Sequence, residues 1–315
     1  MKSIPTQKPR AARAAVRAAV IASLAAAAAA PALAAPPGFA FLEIPTGARN
    51  AALGGALASI ASGAEAMYAN PAAIDPARGI QVCAGHSELV QSLRHDYFAV
   101  AGHAWGGGLG ASVRALYSEP IDERDEIGNL VGTFGAHDLE FAAGYGARLA
   151  PAVKLGFTAQ VVRERISNQA ATTVGIGAGG TWEPERWQGL RVGVSVQNVG
   201  PAAHYTIDGV RGDAVGLPTA LQGGVSYGVP AGRMSLRGAL ENRYTRGRGG
   251  IGIAGAELTD QSGAALRVGF RVNDDASSFS AGAGYLVGGL RLDYAYVPFK
   301  LDLGDTHRFS FTATF

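Results

Sequence analysis

The sequence has little of what most other folds need. It contains one cysteine, Cys83, so no internal disulfide can form, and only 17% of its 315 residues are charged. After the N-terminal segment no run of about 18 apolar residues occurs, so no membrane-spanning helix is expected there. Glycine is abundant instead, with 45 residues, far above the ~7% of an average protein. The glycines lack the strict three-residue repeat of collagen and fall inside strand-like runs, which is typical of barrel walls.

The N-terminal segment predicts export. Basic residues without any acid precede an apolar stretch at residues 18–30, and Ala32-Leu33-Ala34 is a small-residue cleavage pattern. Because the apolar stretch is short and Pro31 ends it, we interpret residues 1–34 as a signal peptide and not as a membrane anchor. Its removal lowers Lys+Arg from 27 to 22 against 25 acids, and the formal net charge from +2 to −3. The basic balance thus belongs to the export signal, and no nucleic-acid partner is expected.

From Ile80 onward, segments of about ten residues alternate apolar and polar side chains between turn residues, which is the signature of a transmembrane barrel. Strand side chains point to opposite faces at period two, so one face suits lipid and the other a polar interior. The sequence therefore predicts an all-β, antiparallel transmembrane barrel of about 14 strands. The strands are predicted to begin near Ile80, Asp96, Leu109, Asp138, Lys154, Thr172, Leu190, Ala220, Met234, Gly250, Ala264, Ser278, Leu290 and His307.

The predicted connections alternate in length. Tight turns such as residues 106–108 alternate with longer connections at residues 119–137, 199–218 and 299–306. Short periplasmic turns and longer external loops are the rule for outer-membrane barrels. The pattern predicts that residues 80–315 form a barrel in the outer membrane of a Gram-negative type of cell, with both ends of the chain in the periplasm.

Residues 35–79 have a different composition. The stretch at residues 46–67 is rich in alanine, with Gly54-Gly55 in its middle, and suits short helices. About fourteen strands enclose more space than the side chains of the wall alone fill. We predict that this segment is a short, partly helical plug, because it holds too many apolar residues to stay solvated as a loose periplasmic arm.

The final predicted strand carries aromatic side chains on one face, at Phe309, Phe311 and Phe315. This pattern fits the terminal aromatic strand that the barrel assembly machinery reads. The final strand of a soluble sheet would not need phenylalanine at its last position. We interpret the three residues as the barrel assembly signal.

Two stretches of the chain resemble the PorV/PorQ family, which belongs to a wider FadL-like group of fourteen-stranded barrels. The first is FLEIPTGAR at residues 41–49, followed by ALGGA at residues 52–56 and YANPA at residues 68–72. The second is YAYVPF at residues 294–299, followed by LGDTHR at residues 303–308. The residues that carry the plug motif of this resemblance are Gly47, Arg49, Gly54, Gly55, Tyr68, Asn70 and Pro71.

This resemblance implies a non-catalytic outer-membrane barrel that binds surface proteins, or helps to export or anchor them, as in type IX secretion. The alternative is a FadL-like channel for the uptake of small hydrophobic molecules. A hydrophobic conduit predicts an apolar pocket between the plug and the outer loops, with a lateral gap beside a kinked strand. A protein-handling scaffold predicts a sealed lumen and exposed apolar residues on the loops at residues 119–137 and 199–218.

Charged side chains share the polar face of the predicted strands. The charges expected to face the lumen include Arg148, Arg191, Arg237, Glu241, Arg267 and Asp293. We favour a charge ladder that satisfies a wet or plugged interior, because buried charges must be paired. The competing interpretation is a cationic lining that favours anionic ligands or the acidic groups of a partner.

Motifs that suggest catalysis lie in the wrong context. Residues 224–228 match the hydrolase nucleophile pattern but lie inside an alternating strand. Residues 175–180 and 250–255 match the dinucleotide fingerprint but open no helix. The six histidines are scattered. We therefore expect no catalytic residue, no cofactor and no metal. The expected partners are outer-membrane lipid, the barrel assembly machinery and exported or surface proteins, or alternatively a small hydrophobic ligand.

Overall fold

The computed structural model describes residues 38–76, 78–207, 210–300 and 304–315. The predicted signal peptide at residues 1–34 lies outside the described residues. In the part of the chain that is described, no helix has the length and apolar character needed to cross a membrane.

Nearly all of the described chain is antiparallel sheet. The strands are β1 (Ile80–Glu88), β2 (Leu93–Ala104), β3 (Gly107–Ser118), β4 (Ile121–Arg124), β5 (Leu130–Phe134), β6 (Ala136–Ala150), β7 (Val153–Ile166), β8 (Gln169–Trp182), β9 (Leu190–Val199), β10 (Ala203–Ile207), β11 (Val210–Val215), β12 (Ala220–Ala231), β13 (Met234–Thr245), β14 (Gly249–Asp260), β15 (Ala264–Val272), β16 (Phe279–Val287), β17 (Leu290–Pro298) and β18 (Asp305–Thr314).

Fourteen of these strands close into a barrel, as the sequence predicts. Each pairs with its neighbours in the ring, and β1 pairs with β18 to close it, from Gln81 opposite Thr314 to Glu88 opposite His307. All fourteen predicted strand starts lie within three residues of the observed starts. The other four strands were not predicted. The β4–β5 hairpin forms a separate sheet, and the β10–β11 hairpin joins the edge of β8.

The two ends of the barrel differ. At the terminal end, where β1 begins and β18 ends, Ile80 and Phe315 are joined by backbone hydrogen bonds of 3.2 and 2.9 Å. Most connections at this end are tight turns, whereas both extra hairpins lie at the opposite loop end. Some connections depart from the predicted alternation. Residues 183–189 form a longer connection at the terminal end, and residues 167–168 and 246–248 form tight turns at the loop end.

Side chains of the wall alternate between two environments. On β6, Phe141 points outward and is 56% exposed, whereas the preceding residue, Glu140, points inward and is buried. The outward face is made largely of exposed apolar residues on every side of the ring, and these residues form the surface that suits lipid.

The N-terminal segment fills the lumen as the predicted plug. It contains one short α-helix, α1 (Ala48–Ala52), and three 3-10 turns at Ala40–Glu43, Gly63–Met67 and Pro71–Ala73. Plug residues are buried together with inward residues from opposite sides of the wall. The first described residue, Gly38, donates its N–H to the carbonyl of Gly216 at 2.9 Å. The described part of the plug thus begins at the loop end and finishes at the terminal end, where β1 starts.

Inward glycines of the wall make room for the plug. A Cβ on Gly156 of β7 would lie 2.3 Å from the carbonyl oxygen of Pro71, and one on Gly146 of β6 would lie 2.2 Å from it. Because these contacts are with backbone atoms, a side chain cannot be accommodated without moving the plug. Glycine weakens the interior of a strand, and the close approach of plug and wall explains why it occurs at these two positions.

Candidate functional site

Six charged side chains form a closed ring of ion pairs between the plug and the wall. We call this set the ionic ring; it consists of Arg49, Glu65, Glu257, Arg267, Arg291 and Asp293. Arg49 of α1 lies 2.8 Å from Glu65 of the plug and 2.8 Å from Glu257 of β14. Glu65 pairs in turn with Arg291 of β17. Two plug residues are thus tied to two separate strands.

The remaining pairs close the ionic ring within the wall. Nε of Arg291 lies 2.8 Å from Oδ2 of Asp293. Arg267 of β15 lies 2.8 Å from Oδ1 of Asp293 and 2.7 Å from Oε2 of Glu257. Charges alternate in sign around the ring, so every buried charge has two partners of opposite sign. This pairing offsets the cost of removing the groups from water.

The charge of Glu65 is held by its neighbours. Burial in the lumen opposes ionisation, but attraction by Arg291 and Arg49 outweighs it, so the pKa of Glu65 is lowered. The carboxylate therefore remains ionised and keeps both ion pairs at neutral pH.

A second anchor lies on β13, the strand next to β14, and on β8. Glu241 of β13 accepts hydrogen bonds from the backbone N–H groups of Ala58 and Ser59, at 3.0 and 2.9 Å, and from the Ser59 hydroxyl at 2.7 Å. Asn70 donates to the carbonyls of Ala58 and Gly180, at 2.7 and 3.1 Å. These contacts fix the part of the plug nearest β8 and β13.

The other predicted plug residues also contact the plug's own backbone or the wall. The Tyr68 hydroxyl donates to the carbonyl of Thr46 at 2.7 Å, and its ring packs edge to face against Tyr97 of β2. The Gly54 carbonyl accepts from Arg271 at 2.6 Å. Gly47, Gly54 and Gly55 all have positive φ, a backbone conformation that glycine adopts most easily.

A cavity of about 490 Å³ lies between the plug and the loop end of the barrel. Its size is within the range of small-molecule sites. The apolar residues that line it include Phe41, Leu42, Ile44, Leu57, Leu89, Val90, Leu93, Leu116, Ile251, Ile253, Val297 and Phe299. The structure thus contains the apolar pocket between plug and outer loops that a hydrophobic conduit predicts.

Arginines also line this cavity, and most have partners. Arg248 lies 2.8 Å from Glu43, Arg271 lies 3.0 Å from Asp274, and Arg114 pairs with Glu140. Two others have no carboxylate within ion-pair distance among the described residues. These are Arg243 and Arg308; Arg308 is buried and donates to the carbonyl of Pro45 at 2.9 Å. Sequence parity places both on the inward face.

The plug side of the cavity also carries a carboxyl group. Burial raises the pKa of Glu43, and attraction by Arg248 and Arg243 opposes that rise.

The predicted lumen charges occupy three different places. Arg267, Asp293 and Glu241 are buried against the plug. Arg191 pairs with Glu183 at 3.1 Å and donates to the plug carbonyl of Ala61.

Arg148 is not buried in the lumen. It follows the inward alternation of β6 but lies at the rim of the terminal end, where its side chain is exposed and donates to the carbonyl of Pro151 at 2.7 Å. Arg237 is half-buried, and in the described chain no carboxylate lies within ion-pair distance of it.

The wall is irregular at β9. The pairing of β8 with β9 shifts register between Ile176 and Ala178, and Asn198 at this bulge has φ of 58°. A bulge of this kind bends a strand locally, and a hydrophobic conduit predicts a lateral gap beside such a strand. On its inner side, Phe39 and Phe41 of the plug pack with Leu217, so plug residues fill the lumen beside the bulge.

Outward positions at the loop end carry apolar residues as well. On the β4–β5 hairpin and its turn, Ile127, Leu130 and Val131 are exposed by 84%, 59% and 60%. These residues lie in the connection where a protein-handling scaffold predicts them. On β18, the side chains of Phe309 and Phe311 are exposed on the lipid face, and so is that of Phe315 beyond it.

Comparisons with known proteins agree with this architecture. The model of the Uncharacterised protein family (UPF0164) matches residues 14–210. A comparison with curated protein sequences finds no match. Solved structures share the fold: the CymD monoaromatic hydrocarbon channel has a TM-score of 0.59 at 14% identity, covering 86% of this chain and 98% of its own.

Two further solved structures are similar. The Pseudomonas putida toluene transporter TodX has a TM-score of 0.57 at 13% identity, with 85% of this chain and 96% of its own covered. A Pseudomonas aeruginosa FadL homologue has a TM-score of 0.52 at 12% identity, with 86% and 98% covered. At such low identity these likenesses establish the FadL-type fold. They do not single out the PorV/PorQ family that the sequence motifs resemble.

Proposed function

The chain belongs to the Uncharacterised protein family (UPF0164), and we propose that it forms an outer-membrane channel for small hydrophobic molecules. The observation that carries this proposal is the cavity of about 490 Å³ between plug and loop end, whose lining includes many large apolar side chains. The similar structures are named as a monoaromatic hydrocarbon channel and a toluene transporter, which supports the same ligand class.

The outward face supports a location in the outer membrane. A transmembrane β-strand needs about 9–11 residues to cross the hydrocarbon layer. All fourteen strands of the barrel wall have between 9 and 15 residues. A closed ring leaves no unpaired backbone edge in lipid. In this proposal the signal peptide at residues 1–34 directs export, and the assembly machinery reads Phe309, Phe311 and Phe315.

The proposed protein acts without catalysis. A ligand enters from the loop end and binds in the apolar cavity above the plug. The ionic ring and the Glu241 contacts hold the plug across the lumen, so onward passage requires either the plug or the irregular wall at β9 to move.

A cavity-filling variant tests this proposal. Ile251 faces the cavity from β14. Ile251→Trp is therefore expected to raise the Kd for toluene at least about tenfold in the purified, detergent-solubilised protein, which corresponds to about 1.4 kcal/mol of binding free energy. Leu240 faces lipid on β13, and Leu240→Trp is the matched control. Equal binding in both variants, measured by calorimetric titration, would contradict a ligand site in the cavity.

A second candidate function is a PorV/PorQ-like scaffold for exported or surface proteins. The exposed Ile127, Leu130 and Val131 of the β4–β5 hairpin and its turn favour it. Its test is a pull-down from solubilised outer membranes with wild-type protein and with a triple serine variant of these residues. Exported proteins should be recovered with the wild type and lost with the variant; recovery of the same proteins with both would exclude the hairpin as their binding site.

A further inference from the structure

Basic side chains gather on the lipid face of the wall at the loop end. On β7, Thr158, Gln160 and Val162 are buried against the lumen, so Arg163 and Arg165 face outward, and both are exposed. On β6 the inward Glu140 places His137 on the outward face, where it is also exposed.

These residues lie at the edge of the apolar band. On β6 the outward positions from Leu139 to Leu149 are apolar or tyrosine, a span of about 11 residues that suffices to cross the hydrocarbon layer. On β7 the outward residues from Leu155 to Val161 are likewise exposed and mainly apolar. The boundary between the hydrocarbon and the headgroups of the loop-end leaflet therefore lies at the level of Arg163, Arg165 and His137.

Strand register brings the three side chains together. His137 lies directly opposite Arg165, and Leu139 lies opposite Arg163. Directly opposite Cβ atoms are about 5 Å apart, so His137 and Arg165 can contact one anion together. Arg163 and Arg165 are two residues apart on the same face of β7, and their like charges repel. On the other side, β8 presents Thr172 and Ala170 to the two arginines. Among the described residues, no acid lies directly opposite any of the three in the strand register.

The arginines also have no acidic partner elsewhere in the described chain. Arg165 donates only to the carbonyl of Ser167, at 2.9 Å, and no ion pair includes Arg163. By contrast, Arg94 occupies the same outward row on β2 and lies 2.8 Å from Glu119. At this level of the wall the positive charge on β2 is therefore paired with an acid, whereas the positive charges on β7 are not.

We propose that Arg163, Arg165 and His137 bind the phosphate of a phosphorylated lipid headgroup in the outer leaflet. Guanidinium groups match phosphate oxygens with paired hydrogen bonds, and an anion between the side chains would relieve their repulsion. Acyl chains of the same lipid would lie on the apolar surface of Leu139 and Val161 directly below. This combination favours a lipid over a free anion. The site is separate from the lumen cavity and does not depend on what the channel carries.

The test compares two lipids and three proteins. Full-length protein is purified in dodecyl maltoside, and lipid binding is titrated by native mass spectrometry. The probes are bis-phosphorylated lipid A and its fully dephosphorylated counterpart, with inorganic phosphate as a competitor. The proteins are the wild type, the Arg163→Gln/Arg165→Gln double variant and the ion-paired control Arg94→Gln.

The wild type and Arg94→Gln are expected to bind the phosphorylated lipid about tenfold or more tightly than the dephosphorylated one. The double variant should lose that difference while binding the dephosphorylated lipid unchanged. The proposal is overturned if the wild type binds both lipids equally, or if the difference survives in the double variant. Displacement of the lipid by millimolar inorganic phosphate would assign the patch to a free anion instead.

Folding of each protein is checked by its mobility on a gel without boiling, which separates folded from unfolded barrels. Only proteins that fold are compared for lipid binding. If the double variant does not fold, the single variant Arg165→Gln is used with the same criteria.

Discussion

Arg49 of the plug and Glu257 of β14 form a two-pronged ion pair, with Nε and Nη2 of the arginine donating to the two carboxylate oxygens at 2.8 and 2.9 Å. The residues are 208 positions apart in sequence. Their contact joins α1 of the plug to a strand in the second half of the barrel, so it can form only when the plug lies in its place in the lumen.

Removal of one partner should be costly. Glu257→Gln leaves Arg49 and Arg267 without a shared carboxylate, and breaking a buried pair costs about 3–5 kcal/mol. We expect that loss in the free energy of unfolding in urea. The exposed pair of Arg124 and Asp122 is the control, because Asp122→Asn should cost at most about 1 kcal/mol. Similar losses in both variants would show that burial of the ionic ring adds nothing.

The plug should block the lumen. Deletion of residues 47–66 removes α1 and both plug members of the ionic ring. We expect single-channel current in planar bilayers to rise, because the path through the barrel is then open. Replacement of residues 121–134, the outer β4–β5 hairpin, by a short turn is the control and should leave the current unchanged. No rise after deletion of residues 47–66 would mean that this segment does not obstruct passage.

Glycines against the plug should resist substitution. Gly156→Val places carbon atoms against the backbone of Pro71 and Ala72, and overpacking of this kind costs about 1–3 kcal/mol. Gly238 of β13 faces outward, and a Cβ added to it would meet no atom within 4 Å, so Gly238→Val is the matched control. We expect a lower melting temperature only for Gly156→Val. Equal melting temperatures would argue against tight seating of the plug.

Acid should loosen the plug through Glu65. Because its pKa is lowered in the folded protein, the stability that it contributes is fully present above its unfolded value of 4.5 and is lost as pH falls through the folded value. We expect protease resistance of the plug to stay constant from about pH 8 to about pH 5 and to fall below that. Glu65→Gln should be less resistant at neutral pH and should lack this acid-dependent loss. An identical acid profile for both proteins would place the sensitivity elsewhere.

The sequence predicted the barrel well because its signal is local and repeated. Apolar and polar side chains alternate along each strand of the barrel wall. Lipid on the outer face tolerates few polar side chains there, so the alternation has few exceptions. The extra hairpins β4–β5 and β10–β11 were not predicted, because their strands are short and at least one, β4, is exposed along its whole length. Arg148 was expected among the lumen charges, because side-chain alternation gives the face of a strand but does not show that a residue lies at the solvent-exposed rim.

The site was harder to predict than the fold. Glu257 was missed although it lies on the inward face of β14, because its role depends on Arg49, which is distant in sequence. The cavity depends on how far the plug fills the lumen, and no local pattern measures that. The motifs that resemble PorV/PorQ proteins lie largely in the segment that fills the lumen, but such a segment suits both a scaffold and a conduit. The resemblance alone therefore favoured the less supported function.

The ionic ring also limits the order in which the molecule can be built. Its plug members, Arg49 and Glu65, precede every ring-forming strand in the chain and can pair with each other, whereas their wall partners stand on β14 and β17. Each therefore lacks its second partner until those late strands are in place. The plug can thus be locked into the lumen only after the last third of the wall has formed.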